Sequence, residues 1–146
     1  MQNKTPLGCV KQLFIATKQS RLSKTNIEVD ENGIVEDKFY NKNIDRSILF
    51  SSTDAYDLMQ KNNLSFKLGA LGENIIVDFN PYDLALGTHI SLGDVVLEIT
   101  TLCTLCNSLK KIDDTAPELL KNDRGVFAKV IKGGTIAINT PIYILN

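Results

Sequence analysis

The stretch Asp94-Val95-Val96-Leu97-Glu98-Ile99-Thr100 decides the fold class of this chain. Its apolar residues at 95, 97 and 99 recur with a period of two, which is typical of a β-strand with one buried face. The stretch Gly125-Val126-Phe127-Ala128-Lys129-Val130-Ile131 repeats the same pattern. Two strands of this kind in the C-terminal half predict a chain that is mainly β.

Turn residues and further apolar segments extend this prediction along the chain. Lys132-Gly133-Gly134-Thr135 supplies glycines for a tight turn, so we expect residues 136–138 to return as the second strand of a hairpin. Pro141 interrupts that strand, which predicts that residues 142–145 form an edge strand or a new strand after a bend. Earlier strands are predicted over residues 9–16, 25–29, 47–50 and 74–77.

Helices are few. Ser51-Ser52-Thr53-Asp54 offers capping residues ahead of a helix over residues 55–61, and Asn62-Asn63 ends it. Two further helices are predicted over residues 107–112 and 117–122, where a proline suits the first turn. Seven or eight short strands with two or three helices predict a closed or nearly closed β-barrel or sandwich, in a single domain over residues 1–146.

Composition excludes several classes of function. The 146 residues carry 16 Lys and Arg against 17 Asp and Glu, a net charge of −1 that provides no field for a nucleic acid backbone. The apolar runs fall far short of the roughly 20 residues needed to cross a bilayer. Lys11 and Gln12 split the N-terminal apolar stretches, so no signal peptide is expected either. We therefore expect a cytoplasmic protein with neither nucleic acid nor membrane as a partner.

The pair Cys103-Thr104-Leu105-Cys106 lies where a strand ends and a helix is predicted to begin, a place that favours thiolates. Four interpretations stay open. The cysteines are inert and half-buried, or they form a zinc site completed by Cys9 and His89, or they form a thiol–disulfide pair, or one thiolate serves a cofactor as ligand or sulfur carrier. His89 is the only histidine, and it fits a surface or structural role better than that of a catalytic base.

A second feature is Leu68-Gly69-Ala70-Leu71-Gly72-Glu73-Asn74. Its two glycines, followed by an acid and an amide, bring backbone N–H groups and polar side chains toward an anionic ligand, or they form a plain structural turn. The segment is not a P-loop, because no Gly-Lys-Ser/Thr follows. Arg46 stands alone before a predicted strand, which is typical of a solvated side chain.

Taken in order, these motifs resemble a MOSC domain, the module found at the C-terminus of molybdenum cofactor sulfurases, in mitochondrial amidoxime-reducing proteins and as small bacterial proteins. The resemblance covers nearly the whole chain. It is carried by Gly33-Ile34-Val35-Glu36-Asp37, Arg46-Ser47-Ile48-Leu49-Phe50-Ser51, Leu71-Gly72-Glu73-Asn74-Ile75, Leu92-Gly93-Asp94-Val95-Val96, Cys106, Arg124-Gly125-Val126-Phe127 and Gly133-Gly134-Thr135-Ile136.

This resemblance implies a β-barrel with a pocket for molybdopterin-bound molybdenum, the molybdenum cofactor. The family cysteine falls on Cys106, which would bind molybdenum or carry sulfur as a persulfide. Glu73 and Asn74 would lie near the cofactor, and Arg46 and Arg124 would pair with its phosphate.

Two activities follow from the resemblance. The chain is either a reductase of N-hydroxylated substrates that receives electrons from a partner protein, or a module that carries or sulfurates the cofactor for a molybdoenzyme. No pyridoxal phosphate domain fits beside this one, so a partner such as a cysteine desulfurase would supply the sulfur. A monomer and a homodimer both remain open. The alternative without molybdenum is a thiol–disulfide or zinc-binding protein that uses Cys103 and Cys106.

The chain also departs from the family pattern. Cys103-Thr104-Leu105 precedes the family cysteine without the arginine or the proline found in many relatives. Glu36-Asp37 replaces the first Gly-Asp, and Asn139-Thr140 replaces the late one. A histidine that often follows the first Gly-Asp is missing. The loss of an arginine reduces the number of cations expected around an anionic ligand.

Overall fold

The computed structural model describes residues 4–64, 67–102 and 125–145. The predicted strands are present there, the first of them beginning earlier than expected, at Lys4. One α-helix, α1 (Thr53–Lys61), and the 3-10 helices Ile44–Arg46 and Pro81–Asp83 accompany the strands of this part of the chain. The strands are β1 (Lys4–Ala16), β2 (Arg21–Lys24), β3 (Asn26–Asp30), β4 (Gly33–Ile34), β5 (Ile48–Ser52), β6 (Ile75–Val77), β7 (His89–Leu92), β8 (Val95–Leu102), β9 (Val126–Lys132), β10 (Gly134–Ala137) and β11 (Pro141–Leu145).

Seven of these strands close into a barrel in the order β11-β7-β8-β9-β5-β6-β1, with β1 pairing back to β11. Neighbouring strands are antiparallel except for β5 and β6, which are parallel. Closure removes the unpaired edges that an open sheet exposes. The predicted barrel is therefore confirmed, and its interior forms the main hydrophobic core.

The apolar run near the end of β1 is buried on both faces. Leu13 and Ile15 point into the barrel, while Phe14 between them packs with Met59 of α1 in a second cluster outside the barrel. Helix α1 begins at Thr53, two residues before the predicted start, and it is capped from the predicted segment, since the Ser52 hydroxyl accepts a hydrogen bond from the amide of Ala55 at 3.3 Å. The helix therefore covers the outer face of the barrel beside β1.

The predicted hairpin between β9 and β10 is wrong. Strand β10 instead pairs with β3, placing Ile136 opposite Ile27, in a separate sheet that also contains β4. Gly133 allows the chain to pass close to β3 rather than to turn back along β9, because a Cβ at this position would lie 2.6 Å from the carbonyl oxygen of Val29. Pro141 begins a new strand between β1 and β7, so the prediction of a new strand after a bend is confirmed.

The helices predicted over residues 107–112 and 117–122 lie outside the described residues. Within the ranges that are described, no helix is both long and apolar enough to cross a membrane.

Candidate functional site

A cleft of about 770 Å³ opens where β1 turns into β2. Its walls come from that turn (residues 16–21), from the segment that runs from the end of β4 into β5 (37–49), from the loop before β6 (69–72 and 74) and from Phe127 of β9. Volumes between roughly 300 and 1,000 Å³ are typical of small-molecule sites. Four separate parts of the chain therefore meet around a space large enough for a cofactor.

Positive charge is concentrated in this cleft. Among the described residues that line it, five are cations and the buried Asp37 is the only carboxylate. This described part of the lining therefore carries a surplus of four positive charges in a chain whose net charge is −1. The cations are Lys18, Arg21, Lys38, Lys42 and Arg46.

These charges are not neutralised by neighbouring carboxylates in the described part of the chain. The ion pairs there join Lys24 with Glu36, and Glu98 with both His89 and Lys129, so none of them includes a cation of the cleft. Unpaired charges of one sign on the walls of a cleft raise the local concentration of oppositely charged ligands. The cleft is thus suited to an anion.

Asp37 is engaged by the protein itself. Its Oδ2 accepts hydrogen bonds from the Ala16 amide at 2.8 Å and from Asn74 Nδ2 at 3.2 Å. Its Oδ1 accepts from the amide of Phe39 at 2.9 Å. The carboxylate therefore fixes two walls of the cleft to each other and to Asn74.

Asn74 lines the cleft, where the sequence predicted a residue near the cofactor. Its Oδ1 accepts from the amide of Leu49 at 3.0 Å, and its Nδ2 donates to the carbonyl of Phe14 at 3.3 Å as well as to Asp37. Both hydrogens of the side-chain amide are therefore used within the protein. Asn74 ties β1 to β5 at the base of the cleft.

The adjacent Glu73 turns its side chain away from the cleft lining and toward α1. Its Oε2 accepts hydrogen bonds from the hydroxyls of Ser51 and Tyr56, each at 2.6 Å, while Oε1 has no partner among the described residues. Burial, and next the charge of Glu73, raise the pKa of Tyr56 well above its usual value. The structure therefore separates Glu73 from Asn74, two residues that the sequence placed at one site.

The loop of residues 69–72 is a structural turn in which amides are bonded internally. The amides of Gly69 and Leu71 donate to the Tyr56 hydroxyl, at 3.0 and 3.4 Å, and the amide of Gly72 donates to the Gly69 carbonyl at 3.1 Å. These groups are therefore not directed at a ligand. The loop contributes the shape of one wall, and α1 holds it through Tyr56.

Arg46 lines the cleft at the end of the 3-10 helix Ile44–Arg46. Its guanidinium lies over the ring of Phe127, 4.8 Å from the ring centroid, a favourable cation–π arrangement. The hydroxyl of Thr100 on β8 donates to the carbonyl of Asp45 and so anchors the helix. Arg46 is thus held in place before any ligand arrives.

The predicted residues Cys103, Cys106 and Arg124 lie outside the described residues. Their segment joins β8 to β9, two strands that pair at Leu102 and Val126. The residue after Val126 is Phe127, which lines the cleft. The described chain therefore enters and leaves this segment beside the cleft wall.

Cys9 on β1 and His89 on β7, which would complete a zinc site, lie beside opposite ends of β11, the strand between them. Cys9 pairs with Pro141, whereas Ile90, next to His89, pairs with Ile144. Three residues of strand separate these positions by roughly 10 Å, whereas zinc ligands lie about 2 Å from the metal. No group of three or more His, Cys, Asp or Glu side chains in the described ranges could hold a metal ion. A zinc site that uses both residues does not fit this geometry.

Sequence reasoning found Arg46 but missed the other four cations of the cleft. Lys18, Arg21, Lys38 and Lys42 are isolated along the sequence and are exposed, as solvated side chains usually are. Only the pairing of β1 with β2 brings the first two beside the segment after β4. The sequence did indicate that Glu73 and Asn74 point in different directions, because consecutive residues entering a strand point to opposite faces.

The chain is thus a β-barrel protein with a cationic cleft among its connecting segments. Residues 36–143 match the model of the MOSC domain family, and the chain belongs to that family. This family is associated with the binding and sulfuration of the molybdenum cofactor. Comparison with curated protein sequences found no significant match.

Solved structures share the fold over nearly the whole chain. The YuaD protein of Bacillus subtilis is 16% identical, with a TM-score of 0.85 and coverage of 100% of this chain and 99% of that one. YiiM from Escherichia coli is 17% identical, with a TM-score of 0.72 and coverage of 94% and 70%. YiiM from Geobacillus stearothermophilus is 13% identical, with a TM-score of 0.67 and coverage of 99% and 76%. At these identities the likeness shows the fold.

Proposed function

We propose that this protein binds the molybdenum cofactor, molybdopterin with its molybdenum, in the cationic cleft. The observation that carries the proposal is the surplus of four positive charges on the described residues of the cleft lining, in a chain with a net charge of −1. A terminal phosphate brings a charge of about −2 at neutral pH, which such a lining would neutralise. Membership of a family associated with this cofactor supports the same ligand.

The residues that are described fit the anionic part of this ligand. Arg46 presents a planar fork of N–H donors, which matches the geometry of a phosphate better than an ammonium group does. Its position over Phe127 reduces the conformational entropy that binding would otherwise cost. Asn74 and Asp37 shape the base of the cleft. We assign Arg124 to the same phosphate, and we place Glu73 beneath the site as support rather than contact.

We propose Cys106 as the molybdenum ligand or the persulfide sulfur carrier. A thiolate is a soft donor that suits a transition metal, and a persulfide is a reversible cap on such a thiol. Cys106 comes four positions after Leu102 in the sequence. Leu102 pairs with Val126, and the next residue, Phe127, lines the cleft, so the described chain leads into the segment that contains Cys106 beside the cleft wall. Bound molybdenum would supply the two-electron chemistry.

Two uses of this site remain. As a reductase, the protein would convert an N–OH group to N–H and water, with two electrons from a partner protein and two protons. As a carrier, Cys106 would accept sulfane sulfur from a cysteine desulfurase as a persulfide. Two electrons from a reductant protein would then cleave the S–S bond, which returns the Cys106 thiolate and passes sulfide to cofactor destined for a molybdoenzyme. A cytoplasmic location suits both uses, and neither one needs nucleic acid or a membrane as a partner.

Measuring the pterin and molybdenum content of the protein, isolated without oxygen from a molybdenum-replete host, tests the proposal. We expect close to one of each per chain, and a marked loss of pterin in Arg46→Gln. Lys129→Gln is the matched control, because that cation pairs with Glu98 and lies outside the cleft lining. Protein without pterin but with stoichiometric zinc would instead support the thiol–disulfide or zinc alternative at Cys103 and Cys106.

A second assay separates the two uses. Loaded protein is mixed with an N-hydroxylated substrate and an artificial electron donor, and formation of the reduced amine is followed. Turnover supports the reductase, whereas stable binding without turnover supports the carrier. Activity that survives Cys106→Ser would contradict the role given to that residue in the reductase.

A further inference from the structure

Arg21 reaches the cleft from a part of the fold outside the barrel. It begins β2, whose one partner among the described strands is β1, where Arg21 lies opposite Ala16. Its Nη2 donates a hydrogen bond to the main-chain carbonyl of Glu73, in the loop before β6. The side chain therefore spans from β2 to another wall of the cleft.

This contact orients the guanidinium without neutralising it. A guanidinium has five N–H donors, and the carbonyl of Glu73 takes one from Arg21. No carboxylate in the described chain forms an ion pair with Arg21. As far as the described residues go, the remaining donors and the positive charge of Arg21 are not taken up by the protein. By contrast, the ammonium groups of Lys18 and Lys42 sit on flexible stems whose ordering costs binding free energy.

Two guanidinium groups, each with its own contact inside the protein, therefore line one cleft from different walls. Arg46 is held by the ring of Phe127, and Arg21 is held by the carbonyl of Glu73. Both groups line the cleft. Like charges on the walls of one cleft repel each other, and an anion bound in that cleft reduces the repulsion.

We propose that Arg21 and Arg46 form an arginine pair that holds one phosphoryl group of the ligand. A phosphate monoester has three terminal oxygens, enough acceptors for two bidentate forks. The identity of the phosphorylated ligand rests on the proposed function, whereas the anion site rests on the geometry of the cleft. Arg21 is then a binding residue in its own right, and its bond to Glu73 sets its orientation.

The test compares a stable pterin that carries the terminal phosphate with the same pterin after treatment with phosphatase. Pterin fluorescence gives both dissociation constants, and their ratio measures the recognition of the phosphate alone. Arg21→Gln loses a charge-assisted contact with the phosphate, so we expect the preference for the phosphorylated pterin, which this ratio measures, to fall about 10- to 100-fold. A purely structural tie would weaken both pterins equally and leave the ratio unchanged.

Lys24→Gln is the matched control, because it removes a cation from the same strand. Lys24 pairs with Glu36 at 3.3 Å and is not part of the cleft lining, so its ratio should change less than twofold. Arg21→Lys keeps the charge and a donor for the Glu73 carbonyl but loses the fork, and it should recover part of the preference. In the double variant with Arg46→Gln, the losses should be less than multiplicative, because both groups hold the same phosphate.

The possible outcomes separate this inference from the proposed function. An unchanged ratio in Arg21→Gln, with a reduced ratio in Arg46→Gln, would overturn the arginine pair and leave cofactor binding intact. Equal weakening of both pterins in Arg21→Gln and in Arg21→Lys would also overturn the pair. If the unmodified protein binds neither pterin, the proposed function fails and the pair fails with it.

Discussion

Replacing Tyr56 with Phe tests how the cleft loop is held. The hydroxyl of Tyr56 donates to Glu73 Oε2 at 2.6 Å and accepts from the amides of Gly69 and Leu71 at 3.0 and 3.4 Å. Phenylalanine keeps the shape of the ring but leaves these buried groups without that partner. An unsatisfied buried group costs about 1 to 3 kcal/mol, and the bond to Leu71 is long, so we expect Tyr56→Phe to lose about 3 kcal/mol of unfolding free energy.

Urea denaturation monitored by circular dichroism measures this loss, which corresponds to a decrease in Tm of about 10 °C for a domain of this size. Tyr40→Phe is the matched control, since it removes a hydroxyl that donates to Asp30 at 2.6 Å outside the buried core. The control should lose only a small fraction of that stability. Equal losses in the two variants would refute the claim that the buried network holds the loop.

Tyr56→Phe should also change how the stability of the protein depends on pH. Burial, and next the charge of Glu73, raise the folded-state pKa of Tyr56 above the value near 10 of an unfolded chain. The folded state therefore keeps a proton that the unfolded state releases, and stability is full below pH 10 but falls as the pH rises beyond it. The slope is about 1.4 kcal/mol per pH unit for one such group. Tyr56→Phe should lack this part of the alkaline slope, and a parallel pH profile would contradict the raised pKa.

Two further predictions concern the barrel. Gly125→Ala should destabilise the protein far more than Gly72→Ala, although both glycines have positive φ. A Cβ at Gly125 would lie 2.0 Å from the carbonyl oxygen of Phe50, whereas a Cβ at Gly72 meets nothing within 4 Å. Similar urea midpoints for the two variants would contradict this prediction. The hydrogen bond from His89, and next the charge of Lys129, lower the pKa of Glu98, so this carboxylate stabilises the folded state above its usual pKa and loses that effect as the pH falls. In His89→Gln, carbon-13 NMR should show the pKa of Glu98 moving up toward 4.5. An unchanged titration of Glu98 would contradict this assignment.

The strands of the barrel were predictable because their alternation is local. The apolar residues of β8 and β9 repeat with a period of two, and the capping residues before α1 mark its start. The partner of β10 was not predictable in the same way. A pair of glycines looks the same in sequence whether it permits a hairpin turn or a close approach to Val29.

The candidate site was predictable only in part, for a similar reason. Arg46 and Asn74 belong to motifs that resemble those of a known family, and both residues line the cleft. Arg21 carried no motif, since its role depends on a contact with the carbonyl of Glu73, 52 residues further along the chain. Convergence of isolated cations is a property of the fold, and no local pattern reports it.

The proposed cofactor-binding role is tested most directly by the pterin and molybdenum content of the protein isolated without oxygen from a molybdenum-replete host. We predict close to one pterin and one molybdenum per chain, with both greatly reduced in Arg46→Gln and retained in Lys129→Gln. Protein that is folded but contains neither, or an Arg46→Gln variant that retains both in full, would contradict binding of the cofactor phosphate in the cationic cleft.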